Sequence, residues 1–359
     1  EHARLVSKGN VPMTLEITPP IPASSVPTLA DVARRANVST ATVSRCLNSP
    51  DQVVERTRER VMQAVKELGY APNFGARALA AKQTNTIGAV IPTMENAIFA
   101  RGIQAFQEEL ARHGYTLLIA SSSYQEAMEE EQIRTLAARG ADGLLLIGYH
   151  RNAQVQDFLK ARAIPTLVAW AYDAAETNAA IGFSNKHAMA DLARLVFEKG
   201  HRHIGMISAE TASNDRARER WAGVQLAATE AGLDVDRIPM IETTYSIESG
   251  VQAFRQIMAW TPRPTAVFCG NDVLAIGALR AAREMGLSVP GDVSITGFDD
   301  IELASLAEPA LTTVHVPHRE MGRRAAGMLV DMVTNKTTPQ SVELQTDIRL
   351  RRTLGPPPA

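Results

Sequence analysis

Apolar periodicity changes character along the chain. Between residues 28 and 68, apolar positions recur every three or four residues, which predicts short amphipathic helices. Thr28 is a helix N-cap type and precedes Leu29, Val32 and Ala33 on one helical face. Asn37 ends that helix, because Asn tolerates the left-handed backbone of a tight turn. Ser39 caps a second helix, Thr40 to Leu47, which Asn48-Ser49-Pro50 ends. A third runs from about Glu55 to Leu68, with Val61, Val65 and Leu68 on one face and Gly69 as its stop.

From Thr86 onward, short apolar runs alternate with amphipathic helices. Strands are expected at 87–91, 115–120, 143–147, 165–169, 203–207, 238–242, 265–269 and 293–297. Helices are expected at 97–112, 125–139, 185–199, 215–231, 247–259 and 272–285. Ile, Val and Leu runs without polar alternation indicate strands buried on both faces. Strand–helix alternation then implies parallel sheets with right-handed crossovers. So many units exceed one sheet, so two doubly wound α/β subdomains are expected. A ligand cleft would lie beyond the strand C-termini.

Two segments fit neither pattern. Residues 1–26 carry Pro12, Pro19, Pro20 and Pro22 and read as a flexible leader. Residues 72–85 begin with Pro72-Asn73 and hold Ala76, Arg77, Leu79 and Ala80 at helical spacing. Such a segment is too short to be a stable helix alone in water. It reads as a linker that orders on DNA and wedges Leu79 into a minor-groove step, or as a plain hinge. The expected organisation is leader 1–26, head 27–71, linker 72–85, body 86–354 and tail 355–359. Within the body, 86–183 with 313–337 and 184–312 with 338–354 are the two subdomains.

Composition narrows the class. With 45% hydrophobic and 21% charged residues the chain is an ordinary globular protein. No run approaches the roughly eighteen apolar residues of a membrane span. The two cysteines, Cys46 and Cys269, lie in apolar segments and read as buried thiols, as in a reduced, cytoplasmic protein. Net charge is −2, but its distribution is uneven. Residues 27–85 hold nine Lys/Arg and five Asp/Glu, a +4 head on an acidic body. That asymmetry fits a polyanion-binding module.

Two short helices joined by a tight turn read DNA when the second fits the major groove. Here Val43 and Leu47 face the partner helix, leaving Thr40, Ala41, Ser44 and Arg45 free. Arg45 could bond a guanine edge or grip a phosphate, and Ala41 and the Thr40 methyl could meet a thymine methyl. The alternative is a three-helix bundle without DNA function.

At this point the sequence resembles the LacI/GalR family of transcriptional regulators. The resemblance rests on Thr28-Leu29-Ala30-Asp31-Val32-Ala33, Val38-Ser39-Thr40-Ala41-Thr42-Val43-Ser44-Arg45, and Leu68-Gly69-Tyr70-Ala71-Pro72-Asn73. It continues through Ala76-Arg77-Ala78-Leu79, Gly270-Asn271-Asp272-Val273-Leu274 and Val289-Pro290-Gly291-Asp292-Val293, and spans roughly 27–353. It implies a homodimer reading a pseudo-palindromic DNA operator. It also implies a periplasmic-binding-protein-like body of two parallel-sheet subdomains that close on a small-molecule effector. Implied DNA contacts are Thr28, Ser39, Thr40, Ala41, Thr42, Ser44, Arg45, Asn48, Tyr70, Asn73, Ala76, Arg77 and Leu79. Implied effector contacts are Asn96, Phe99, Trp170, Arg220, Asn271 and Asp299.

Physical chemistry agrees: Arg is a rigid two-pronged donor and Asp an acceptor pair. The alternatives are an Arg220–Asp299 ion pair that only locks the domains, an Asn271 that only caps a helix, and a Trp170 that only fills the cleft. Where many sugar-sensing relatives end the fourth strand near an acid, this chain has Ala169-Trp170-Ala171. Ser184-Asn185 replaces the common Asp-Asn. With Arg216, Arg218 and Arg220 nearby, an anionic effector is favoured. The stretches Ala180–Asn185 and Gly200–Ile204 resemble the gluconate-responsive branch, which implies a sugar acid.

Two rivals stand against a repressor. An enzyme would need a phosphate loop, a dinucleotide glycine motif or a nucleophile elbow, and none is present. His201-x-His203 is too sparse for a metal site, so neither metal nor cofactor is expected. A solute-binding protein would share the body but lack the head. A regulator sensing a nucleobase is the second alternative.

Overall fold

Capping chemistry sets the three helices of the head: α1 (Leu29–Ala36), α2 (Thr40–Asn48) and α3 (Glu55–Leu68). The computed structural model describes residues 26–71, 83–95 and 97–358. The chain divides into a helical head and an α/β body, each compact in itself. Thr28 accepts from the Asp31 N–H while the Asp31 carboxylate accepts from the Thr28 N–H, a capping box. Asn37 takes the left-handed conformation at φ 51° and closes α1. Ser39 accepts from the Thr42 N–H at the start of α2. Val32, Ala36, Val43, Cys46, Val61 and Ala64 form the head core. Cys46 and Cys269 are both buried free thiols.

The body holds two six-stranded sheets. The first contains β1 (Thr86–Ile91), β2 (Thr116–Ser121), β3 (Gly143–Ile147), β4 (Thr166–Ala169), β5 (Ala180–Gly182) and β11 (Val342–Glu343). Its order is β11-β5-β4-β3-β1-β2, parallel throughout. The second contains β6 (Ile204–Ser208), β7 (Met240–Glu242), β8 (Ala266–Cys269), β9 (Ser294–Asp299), β10 (Thr312–His315) and β12 (Asp347–Arg349). Its order is β12-β10-β9-β8-β6-β7, and β12 runs antiparallel to β10. The strands β1, β3, β8 and β9 are buried along their whole length, as their unbroken apolar runs require.

Nine α-helices cover these sheets among the described residues: α4 (Ala100–Arg112), α5 (Glu126–Ala138), α6 (Ala153–Ala161), α7 (Asn185–Glu198), α8 (Asp215–Glu230), α9 (Ile247–Ile257), α10 (Asp272–Glu284), α11 (Glu302–Leu306) and α12 (His318–Thr334). Among the described residues, no helix is long and apolar enough to cross a membrane.

The chain crosses between sheets three times: after β5, after β10 and after β11. The expected exchange points are therefore corrected. Residues 313–315 belong to β10 in the second sheet, and Val342–Glu343 pair with β5 in the first. These strands are two to four residues long and partly polar, so no apolar run announces them. Gly355, the first residue of the expected tail, is bonded to the second sheet and to His201. Its N–H donates to Ser294 Oγ, and its oxygen lies 2.9 Å from His201 Nε2. The other ring nitrogen of His201 meets Thr265 Oγ1, so this histidine is buried and satisfied.

Helices α4 and α12 pack through two glycines. A Cβ on Gly322 would overlap the Gly102 carbonyl oxygen, whereas a Cβ on Gly327 of the same helix would meet open space. Gly322→Ala should therefore cost about 1–3 kcal/mol of stability in urea unfolding. Gly327→Ala should be neutral or stabilise by up to about 1 kcal/mol. Equal effects at the two positions would contradict this packing.

Candidate functional site

On α2 the helical period separates core from surface. Val43 and Cys46 are buried and Leu47 packs on the head core, while Thr40, Ala41 and Arg45 are exposed. Arg45 makes no ion pair among the described residues, whereas Arg34 pairs with Asp31 at 3.0 Å and Arg35 with Glu67. Several expected DNA contacts are engaged within the head. The Thr28 hydroxyl donates to Asp31, Ser39 Oγ and Thr42 Oγ1 bond each other, and Asn48 Nδ2 donates to Ser44 Oγ. Tyr70 packs in the head core, because α3 ends at Gly69 and turns the chain back onto it. Asn73, Ala76, Arg77 and Leu79 lie outside the described residues, as does Asn96.

In the body, strand C-termini from both sheets meet at a cleft. Ile98, Phe99, Tyr124 and Trp170 come from the first subdomain, and Asn214, Arg216, Arg220, Tyr245 and Asp299 from the second. The space between them is about 10 Å³, room for about one water. Between these side chains the cleft is therefore closed. Trp170, 1% exposed and at φ 61°, fills it, with Phe99 edge-on at 5.3 Å between centroids. Tyr124 meets Tyr245 edge-on across the cleft at 5.5 Å. Sequence reasoning had not singled out Tyr124, Tyr245 or Asn214. Each lies just beyond the C-terminal end of a strand, β2, β7 and β6 respectively, and that position was the available signal.

Asp299 is the electrostatic centre. Its side chain is fully buried, and neither carboxylate oxygen accepts a hydrogen bond among the described residues. Arg220 Nη2 is 3.7 Å from Oδ1, an ion pair beyond hydrogen-bond reach. Arg220 instead donates to Asn185 Oδ1 (2.9 Å) and Gly270 O, and its guanidinium lies 3.9 Å over the Phe298 ring. Both Arg220 and Asp299 belong to the second subdomain, so their pairing cannot lock the two subdomains together. Asn271 caps α10 through Oδ1 to the Leu274 N–H, while its buried Nδ2 has no hydrogen-bond partner among the described residues.

A second link does cross the cleft. Asp215 accepts from the Tyr149 N–H (2.6 Å), and Arg216 donates to Ile147 O (3.0 Å) and to Asp215. Of the three neighbouring arginines, Arg216 and Arg220 line the cleft, four residues apart on α8. Arg218 is exposed and donates to Thr211 O. That split follows the helical period.

Burial pushes the Asp299 carboxyl up to about 6, against the opposing pull of Arg220 and Arg216. The folded protein thus holds this proton more tightly than the unfolded chain does. Stability from this group is full below about pH 4 and falls as pH rises towards 6, by about 3 kcal/mol. Asp299→Asn should therefore be more stable than the wild type at pH 7.5 in denaturant unfolding, with the gap closing towards pH 4. Equal stability at pH 7.5 would contradict the reading that burial of Asp299 outweighs its attraction to Arg220 and Arg216.

Comparison with known proteins places this geometry. Residues 28–73 match the family described as bacterial regulatory proteins, lacI family, and residues 193–354 match a periplasmic binding protein-like domain. An HTH-type transcriptional repressor PurR of Escherichia fergusonii is 38% identical over 334 residues, which is 92% of this chain and 98% of the relative. The lac repressor dimer bound to operator and the anti-inducer ONPF superposes with a TM-score of 0.82 at 28% identity, covering 92% of this chain and 100% of that one. Transcription regulator GntR from Chromobacterium violaceum superposes at 0.70 with 28% identity, over 75% of this chain and 99% of that one. The chain belongs to the lacI family: it is a DNA-binding transcriptional repressor with an effector-binding body, and not an enzyme.

Proposed function

We propose that the protein acts as a homodimer on a pseudo-palindromic operator, and that a small sugar acid of gluconate type, bound in the closed cleft, controls its affinity for DNA. The observation that carries the effector reading is Asp299, a fully buried carboxylate neither of whose oxygens accepts a hydrogen bond among the described residues. Such a group calls for donors, and ligand hydroxyls supply them. The buried Asn271 amide, without a hydrogen-bond partner for Nδ2 among the described residues, calls for an acceptor. Arg216 and Arg220 offer positive charge for a carboxylate in the same enclosure. The closed cleft requires Trp170 or Phe99 to move when ligand enters. A nucleobase is the second reading, favoured by the four rings of Phe99, Trp170, Tyr124 and Tyr245, against which a flat ligand can stack.

On DNA, the exposed Thr40, Ala41 and Arg45 form the reading surface of α2. Arg45 is free of intramolecular pairing among the described residues and is the base-reading candidate.

Two measurements test these assignments. Calorimetry with gluconate, glucose and hypoxanthine should show heat for gluconate alone, and Arg216→Leu should weaken it at least roughly tenfold, the scale of one charged hydrogen bond. Heat from glucose or hypoxanthine with none from gluconate would sink the sugar-acid reading. For DNA, Arg45→Ala should lose about 1–3 kcal/mol of discrimination at one operator position. A uniform loss across all sequences would instead make Arg45 a phosphate contact.

A further inference from the structure

Trp170 and Asp299 stand on opposite subdomains, yet one side chain touches both. The Trp170 indole N–H donates to His318 Nδ1 at 3.1 Å, and His318 Nε2 lies 3.1 Å from the backbone oxygen of Asp299. This pairing fixes the tautomer. Nδ1 must accept from the indole, so Nε2 carries the hydrogen and donates it. His318 is buried and is the first residue of α12, three residues after β10 ends. It therefore occupies the second crossover between the sheets.

Both residues that it holds have unfavourable backbones, Trp170 at φ 61° and Asp299 at φ 104°. Non-glycine residues persist in such conformations only when their surroundings hold them there. The Trp170 ring rests on Gly102 of α4, where a Cβ would collide with it, and the His318 backbone oxygen lies against the same glycine. At the first crossover Asn185 acts in parallel. It donates to Trp170 O at 3.1 Å and accepts from Arg220 Nε.

We propose that His318 is a positioning residue for effector recognition: it accepts from Trp170 and donates to Asp299 across the crossover, holding both cleft residues in one mutual arrangement, so that displacing either moves the start of α12. The proposal rests on this cleft being the effector site, and not on the chemistry of the effector. Burial lowers the proton affinity of His318 to about 4, with His315, Arg220 and Arg101 adding to it and the Asp299 hydrogen bond opposing it. The ring is thus neutral at physiological pH and able to accept from Trp170.

The test uses the full chain labelled with ¹⁵N in histidine and tryptophan. In the wild type, His318 should show the Nε2–H tautomer and no titration between about pH 5.5 and 8. The Trp170 indole N–H, identified by its loss in Trp170→Phe, should exchange with solvent at least roughly tenfold slower than those of Trp221 and Trp260. His318→Phe should abolish that protection, and His318→Gln, whose amide can both accept and donate, should restore it. If His318→Phe does not fold, the two wild-type measurements decide alone. A titrating His318, a hydrogen on Nδ1, or protection that survives His318→Phe would overturn the proposal. Gluconate at saturation should shift the His318 and Trp170 signals together, and binding that moves neither would overturn the coupling. Absence of gluconate binding would overturn only the sugar-acid reading, because the tautomer and exchange measurements need no ligand.

Discussion

A buried carboxylate that accepts no hydrogen bond among the described residues is costly, and the body is arranged around one. Asp299 ends the central strand β9, fully buried, with Arg220 near enough to attract it but too far to bond it. A protein interior tolerates such a group when it serves a ligand that completes its hydrogen bonds. Three chain crossovers bring the C-terminal ends of both sheets to face this residue, and the aromatic side chains of the first subdomain close over it. Ligand affinity and body stability are thus opposed at one atom pair. Whatever satisfies Asp299 stabilises the body, and whatever leaves it bare strains it.

Control of DNA binding by an effector requires differential affinity for two states of the repressor, typically about 1–3 kcal/mol of coupling. The cleft offers a source for that difference. In the closed body Trp170 fills the space between the subdomains, where the effector is proposed to bind, and Asp215 and Arg216 clasp the end of β3 across the divide. A ligand must exchange these contacts for its own. The state it selects is therefore set by which of Trp170, Arg216 and Asp299 it can replace or satisfy.

Much of this was legible in the sequence, for physical reasons. Strands buried on both faces advertise themselves by continuous apolar runs, so β1, β3, β8 and β9 could be placed from those runs alone. Thr28, Ser39 and Asn37 marked the head helices, because capping is a local interaction between near neighbours. The short strands β5, β10, β11 and β12 left no such signal, since their pairing is set by the crossovers and not by their own residues. Arg220, Asn271 and Asp299 were found through family motifs. Tyr124 and Tyr245 lie in loops whose meeting depends on subdomain closure. His318 gave no hint, because its role depends on two residues far away in sequence that only the fold brings to it.

Sequence-specific repression governed through the cleft leaves a trace in which DNA the protein retains. The most direct measurement is to incubate the purified protein with sheared DNA of its source organism, with and without gluconate, and to sequence what it retains. A few pseudo-palindromic sites should be recovered, in amounts that change with gluconate. Retention of random fragments, or of none under either condition, would contradict repression governed through the cleft.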